Sequence, residues 1–320
     1  MSSPPPRSVA AVVINHNGGD DLARCLAALA TQSMPVRVVL VDCGSSDGSD
    51  HLARRPPPGV EGVPLEENRG YTGGANAGLE HLAGGADAVG FFNPDCFVQT
   101  EFFARCLETL EADPGVGGLA PRLVRPGGET LDSCGQVLSP AVLRVRDRGY
   151  GEPAADRYLR GGPVLAACGA GMVYRRQALE AVWLDGAVFP DEFFAFWEDL
   201  DLGWRVWNSG WRVVYEPRAV AVHRRGATAA FGTGRMIFRR PAAVAAGILA
   251  NRWATLVRNL HVVDFLPRLP LLLAMDAAMV TWVLCRRPAV GPHLLRSLRR
   301  LAPAWRLRRA TRRRRLRDLP

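Results

Sequence analysis

The stretch Val36-Arg37-Val38-Val39-Leu40-Val41-Asp42-Cys43-Gly44-Ser45-Ser46-Asp47-Gly48 decides the fold, because an apolar run of strand length ends in a carboxylate at the mouth of a Gly/Ser turn. A strand with apolar side chains on both faces must be covered on both faces, the pattern of a parallel sheet between helices. Upstream, residues 9–14 form another such run, and Leu22, Cys25, Leu26 and Leu29 then recur at helical spacing. Downstream, residues 60–64 read as a weaker strand and 74–82 as a helix entered through glycines. Residues 88–92 form a third strong strand that closes on Asn93-Pro94-Asp95. Alternating strands and helices predict an α/β fold with a mostly parallel, Rossmann-like sheet. Ligands collect beyond the carboxyl ends of such strands, where Asn15, Asp42 and Asp95 all stand.

From 121 to 162 Gly, Pro and Arg crowd the sequence, which predicts loops with short strands in a mobile segment. Order returns at 164–174, followed by a helix at 176–182 and strands at 211–215 and 219–223. The composition changes past Gly232, so a boundary is expected near residue 234, between a body of 1–234 and a tail of 235–320. In the tail, Leu249, Trp253, Leu256, Leu260 and Val263 recur at three- and four-residue spacing opposite Arg252 and Arg258. Residues 269–285 are the most apolar stretch, but Pro270 and Asp276 leave it short of the roughly 20 apolar residues of a spanning helix. Leu294, Leu298, Leu301 and Trp305 form a further stripe among arginines. These patterns predict an α-helical, membrane-associating region lying in a bilayer interface, with its arginines toward anionic headgroups.

With 320 residues and 48% hydrophobic composition the chain can bury a large core, which excludes global disorder. All 40 basic residues are arginine. Residues 235–320 hold 19 Arg against 3 Asp, whereas 1–234 are acidic, so the tail is expected to meet a polyanionic surface. Nucleic acid is the competing partner, led by the arginines of 308–317, but no recognition motif or aromatic-basic interleaving supports it, and none is expected. The seven cysteines form no CxxC pair, which fits reduced thiols better than a disulfide framework or a zinc site. Residues 2–7 lack the apolar core of a signal peptide, so the body is expected in the cytosol, at the cytoplasmic face of the membrane.

Four local signals carry chemistry. Asp42, delivered by its strand into the Gly/Ser turn, can accept a hydrogen bond from a nucleobase or ribose, or simply order the turn. In Glu67-Asn68-Arg69-Gly70-Tyr71-Thr72-Gly73-Gly74-Ala75-Asn76-Ala77-Gly78, glycines let backbone approach a ligand and turn a helix N-terminus toward phosphate, or merely make a turn into a helix. This stretch lacks dinucleotide GxGxxG spacing, and a chain without lysine has no Walker motif. Asp95 offers a hard oxygen suited to Mg²⁺ or Mn²⁺, or starts a turn. Last comes Phe196-Trp197-Glu198-Asp199-Leu200-Asp201-Leu202-Gly203-Trp204-Arg205, three carboxylates in an aromatic frame, with His223 about two dozen residues on. Burial there would raise a carboxylate pKa and make a proton acceptor; the alternative is a helix N-terminus with its acids at the positive end of the dipole.

Taken together, these motifs resemble glycosyltransferase family 2, inverting enzymes of GT-A fold, over about residues 8–226. The likeness rests on Val12-Val13-Ile14-Asn15-His16-Asn17, the Asp42 turn, residues 68–78, Asn93-Pro94-Asp95, Gly169-Ala170-Gly171-Met172-Val173, and residues 194–205 followed by Pro217 and His223. It points to the bacterial branch that includes rhamnosyltransferases of cell-surface polysaccharide assembly. The resemblance implies a nucleotide-diphosphate sugar donor held by Asn15, Asp42, Gly70, Asn76, Asn93 and Asp95. It also implies Mg²⁺ or Mn²⁺ at Asp95 with His223, and Asp199 as catalytic base with Glu198 as runner-up. The acceptor would be a hydroxyl of a lipid-linked or polysaccharide glycan in the cell envelope, with rhamnose one expectation for the sugar. The chain departs from the pattern at Asn93, which replaces the first acid of DxD, and at His16 and Cys43, where Tyr and Asn are common. A catalytically degenerate scaffold of the same fold is the alternative, and the presence of Asp42, Asp95 and Asp199 argues against it.

Overall fold

The computed structural model describes residues 7–183, 186–225, 237–308 and 313–320. In the first half, β1 (Val9–Asn15), α1 (Gly19–Ala30), β2 (Arg37–Cys43), α2 (His51–Arg54), β3 (Val60–Leu65), α3 (Gly70–Leu82) and β4 (Ala88–Phe92) alternate. Strands β3, β2, β1 and β4 lie side by side and parallel. The pleat explains why the runs are continuous: Ala10, Val12 and Ile14 point into one apolar layer, and Val9, Ala11 and Val13 into the other.

The chain continues through β5 (Cys96–Val98), α4 (Phe102–Ala112), β6 (Val116–Val124), β7 (Leu131–Ser133), β8 (Gln136–Leu138), β9 (Val145–Asp147), β10 (Gly162–Pro163), β11 (Gly171–Arg175), α5 (Arg176–Glu180), α6 (Glu198–Asn208) and β12 (Arg212–His223). The sheet runs β10-β12-β6-β11-β4-β1-β2-β3, with β11 reversed between β4 and β6. Segment 121–162 holds short strands, as expected, and β8 pairs with β9 in a separate hairpin. The strands expected at 211–215 and 219–223 are one strand, β12, whose register shift between Glu216 and Val220 absorbs Pro217. Helix α3 begins at Gly70 rather than 74, and of 164–174 only the end is strand.

The expected boundary at 234 lies outside the described residues. Beyond it run α7 (Ala242–Asn259), α8 (Val262–Phe265), α9 (Leu269–Arg286), α10 (Val290–Ser297) and α11 (Leu301–Arg308). Helix α7 does not present Arg252 and Arg258 as an outer polar face. Arg258 is buried, and so are Asn251, Thr255 and Asn259, because their face meets α6 and the segment before it. Leu256, Leu260 and Leu272 join the main core. The helical stretch Val262–Arg286 is 25 residues long, long and apolar enough to cross a membrane by length and composition, with 11% of its most apolar window buried. It exceeds the expected 269–285 because Pro270 falls in the first turn of α9, where a missing N–H costs nothing.

Gly203 lets α6 lie against residues 165–166: an added Cβ would stand 2.4 Å from the Ala166 Cβ and 2.6 Å from the Leu165 carbonyl oxygen. Gly203→Ala is expected to lower stability by a net of about 1–2 kcal/mol, overpacking outweighing the helix-propensity gain. Gly162→Ala, with open space around its Cβ, should leave the thermal midpoint unchanged. Equal midpoints for the two variants would refute this packing.

Candidate active site

The carboxyl ends of β1 and β2 are tied together before any ligand arrives. Asn15 and Asp42 are almost wholly buried, and the Asn15 amide donates to Asp42 (2.7 Å), Ser45 (3.1 Å) and Ser49 (2.9 Å). The Ser45 N–H and hydroxyl donate to Asp42 at 3.0 and 2.6 Å, and the Asn15 side-chain oxygen Oδ1 accepts from the Gly18 N–H. Both side chains thus shape the loop, and residues 46–48 form its exposed rim.

At the next strand ends, Asp95 follows β4 and His223 closes β12, with His223 Nε2 3.4 Å from Asp95 Oδ1. The other ring nitrogen donates to Asp132 Oδ2 at 2.7 Å, which fixes the ring's orientation. Burial opposes the charged imidazole, but bonds and charges from Asp132 and Asp95 outweigh it and push His223 up to about 9. Asp132 is fully buried and also accepts from Arg225, whose guanidinium reaches Asp147 at 3.1 Å. Asn93 sits beside Asp95 and donates its N–H to the Ala170 carbonyl. Two cis ligands at about 2.1 Å from one octahedral cation stand roughly 3 Å apart, so Asp95 and His223 are spaced to share Mg²⁺ or Mn²⁺. Among the described residues no group of three His, Cys, Asp or Glu is placed to hold a metal ion by itself.

The acidic segment is a helix N-terminus, one of the two readings of its sequence, and Glu198 and Asp201 are buried in it. Glu198, Asp199 and Asp201 form the first turn of α6, and the three acids have three different fates. Asp199 Oδ2 accepts from Gln136 Nε2 (2.7 Å) and the Gly169 N–H (3.0 Å), while Oδ1 accepts from the Leu200 N–H (2.8 Å). Burial raises its pKa above the ordinary aspartate value against those donors. Glu198 is pushed well above the usual range by burial and by Asp199, and among the described residues its Oε2 meets no hydrogen-bond donor. Asp201 stays charged: burial opposes it, but Arg258 and Arg205, each at 2.8 Å, hold its pKa low. Trp204 and Trp207 are core residues, and Trp197 is half-buried.

Sequence reasoning did not find Asp132, Asp147, Gln136 or Arg225. They connect the two halves of the site: burial raises Asp147 to about 6 against the pull of Arg225, helped by the nearby charges of Asp199 and Asp132. Gly70 has φ +69, and a Cβ there would lie 2.3 Å from the Phe194 carbonyl oxygen, so the glycine permits contact between α3 and the acidic segment. Asn76 is committed elsewhere. Its amide donates to the Phe189 carbonyl and Asp191, both at 2.8 Å, and accepts from the Phe189 N–H, which pins α3 to the segment leading into α6. Tyr71 does the same for the other wall, donating to the Gly169 carbonyl at 2.8 Å.

A family model described as glycosyl transferase family 2 matches residues 10–183. The N-acetylglucosaminyl-diphospho-decaprenol L-rhamnosyltransferase of Mycobacterium tuberculosis is 30% identical over 252 residues, 70% of this chain and 77% of that one. Among solved structures, mannosyltransferase PcManGT from Pyrobaculum calidifontis, in complex with GDP-Man and Mn²⁺, aligns with 95% of this chain and 87% of its own at a TM-score of 0.55 and 20% identity. GalNAc-T7 with UDP, GalNAc and Mn²⁺ aligns with 80% of this chain and 49% of its own at a TM-score of 0.58 and 12% identity. At such identities the two structures speak to the fold.

The His223 pKa has a pH signature. Because the folded value lies above the ordinary histidine value of 6.5, its stabilisation is fully present below about pH 6.5 and is lost as pH rises through about 9. In metal-free protein, NMR titration of His223 should give a midpoint near 9, and Asp132→Asn should bring it down toward 6.5. An unchanged midpoint in the variant would rule out Asp132 as the cause.

Proposed function

Because the chain belongs to glycosyl transferase family 2 and carries its GT-A fold, we propose that this glycosyltransferase moves a sugar with inversion from a nucleotide-diphosphate donor to a hydroxyl of a lipid-linked glycan. The observation that carries the reading is Asp199, a partly buried carboxylate held by three donors and raised in pKa, close to the Asp147–Arg225–Asp132 chain that leads to the Asp95–His223 pair. Rhamnose is the sugar this reading favours, supported by the identity with the mycobacterial rhamnosyltransferase.

The nucleotide rests on the turn that Asn15 and Asp42 hold in shape, next to the glycine-rich start of α3. Asp95 and His223 would hold Mg²⁺ or Mn²⁺, which when bound supplies a Lewis acid for the charge developing on the leaving diphosphate. Asp199 takes the proton of the acceptor hydroxyl as that oxygen bonds to the anomeric carbon. The bond from that carbon to the diphosphate oxygen breaks on the opposite side, and its electron pair leaves with the nucleoside diphosphate. Gln136 and the Gly169 N–H keep the carboxylate aimed.

The acceptor side follows from α8 and α9. Leu271, Leu273, Met275 and Trp282 are exposed on α9, and Leu266 is exposed in the turn that joins it to α8. Arg268, in the turn between α8 and α9, donates to the Pro140 carbonyl, and Arg252 of α7 donates to the Val142 carbonyl, so the C-terminal region abuts the loop of the β8–β9 hairpin that carries Gln136. We place this face on the anionic cytoplasmic surface of the membrane, where the hairpin brings the base to a lipid-linked acceptor.

In a panel of UDP-, dTDP- and GDP-sugars, one donor class should raise the thermal midpoint in a Mg²⁺- or Mn²⁺-dependent way that Asp95→Ala abolishes. Asp199→Asn should keep that shift but lose roughly 10²–10⁴ in kcat. The acid limb of wild-type kcat/KM should lie above the ordinary aspartate value of about 3.9, since the base must be deprotonated and burial raises it. No shift with any donor would favour the degenerate scaffold. Separately, the full chain should float with phosphatidylglycerol-containing vesicles, and Leu271→Glu with Leu273→Glu should weaken this several-fold. Unchanged flotation would refute the docking face.

A further inference from the structure

The segment that delivers Asp199 is sharply bent. Phe194, Phe196 and Trp197 have φ of +62°, +70° and +75°, three side-chain-bearing residues in the left-handed half of the map within four positions. Such a backbone persists only where its surroundings hold it. The grip comes from the far end of the chain. Asn251 of α7 is fully buried, and its amide nitrogen faces the carbonyls of Phe193 (3.0 Å), Ala195 (3.2 Å) and Phe196 (2.9 Å). Two amide hydrogens are shared among three acceptors. The Asn251 oxygen accepts from the Arg300 guanidinium, which settles which end of the amide faces the turn.

The same helix holds the other side of the base. Arg258 and Asn259 lie seven and eight residues after Asn251, on the same face, and both donate to Asp201 at 2.8 Å. Asp199 therefore sits between two points fastened to α7: the carbonyls of 193–196 before it and Asp201 after it. Neither Asn251 nor Arg300 touches Asp199, so their effect on it runs through the backbone of 193–198.

We propose that Asn251, oriented by Arg300, is a positioning residue for the catalytic base, which makes the arginine-rich C-terminal helices a working part of the active site. The proposal rests on the reading of Asp199 as that base. Removing the amide donor releases the bent turn and lets the start of α6 shift, and a base misplaced by about 1 Å can cost on the order of 10²-fold in rate.

The test is Asn251→Asp in the full chain, which keeps the size and the Arg300 partner but turns an oxygen, not a donor, toward the three carbonyls. The expected result is a kcat lowered roughly 10- to 10²-fold with donor KM within about two-fold of wild type. Amides of 194–201 should exchange faster in hydrogen–deuterium exchange, and Asn251→Gln should recover part of the rate. If Asn251→Asp does not fold, Arg300→Gln, which removes the orienting cation alone, should show the same split in smaller measure. A folded variant with native kcat and native exchange at 194–201 overturns the proposal, as does a rate loss no larger than the unfolded fraction. Asp199→Asn measured in parallel separates the two ideas. If it remains active the base reading fails by itself; if it is inactive while Asn251→Asp is native, only the positioning role fails.

Discussion

Asp201 is a carboxylate without exposed surface, and the site depends on how its charge is met. Arg205, four residues on in the same helix, and Arg258 from α7 both reach it at 2.8 Å, and Asn259 takes the second oxygen. Arg205 in turn spends its other nitrogens on the carbonyls of Val182 and Val188, so the cluster ties α6 to the chain that precedes it as well as to the C-terminal helix. Replacing such a cluster by apolar residues can be neutral, but removing one member strands a buried charge at about 3–5 kcal/mol. That asymmetry makes the cluster a specifier of geometry: it allows one seat for the first turn of α6, and Glu198 and Asp199 inherit that seat.

The neighbouring acids differ because their partners differ. Asp201 has two guanidinium groups and stays ionised. Asp199 has three neutral donors, enough to orient it but not enough to cancel burial. Glu198 is driven toward the protonated form by burial first and by the charge of Asp199 beside it, and its Oε2 meets no donor among the described residues. Environments that push adjacent titratable groups apart let one short segment hold acids in different protonation states. The opposite wall uses the same physics, where Asp132 and Asp95 hold the His223 ring between them.

Much of this was legible along the chain. Strands β1, β2 and β4 announce themselves because a strand buried on both faces must be apolar at every position, and Asn15, Asp42 and Asp95 stand out where those runs stop. The arginines of α7 were misread for an equally physical reason. Helical periodicity places a charged side chain outside by default, and Arg258 is inside because Asp201, 57 residues earlier, meets it there. Asn76 looked like part of a ligand-binding stretch, yet its hydrogen bonds go to Phe189 and Asp191, partners that spacing cannot reveal.

The sequence by itself determined the parallel α/β frame, the family, and the identity of the carboxylates at the strand ends and in the acidic segment, since local burial and short motifs carry that information. Tertiary structure decided which acid keeps its charge, that Asp132 and Asp147 from an irregular segment join His223 and Arg225, and that the C-terminal helices clasp the acidic helix. Those outcomes depend on partners tens to hundreds of residues away, and a pKa or a bent backbone is the property of an assembled environment that no single stretch of chain contains.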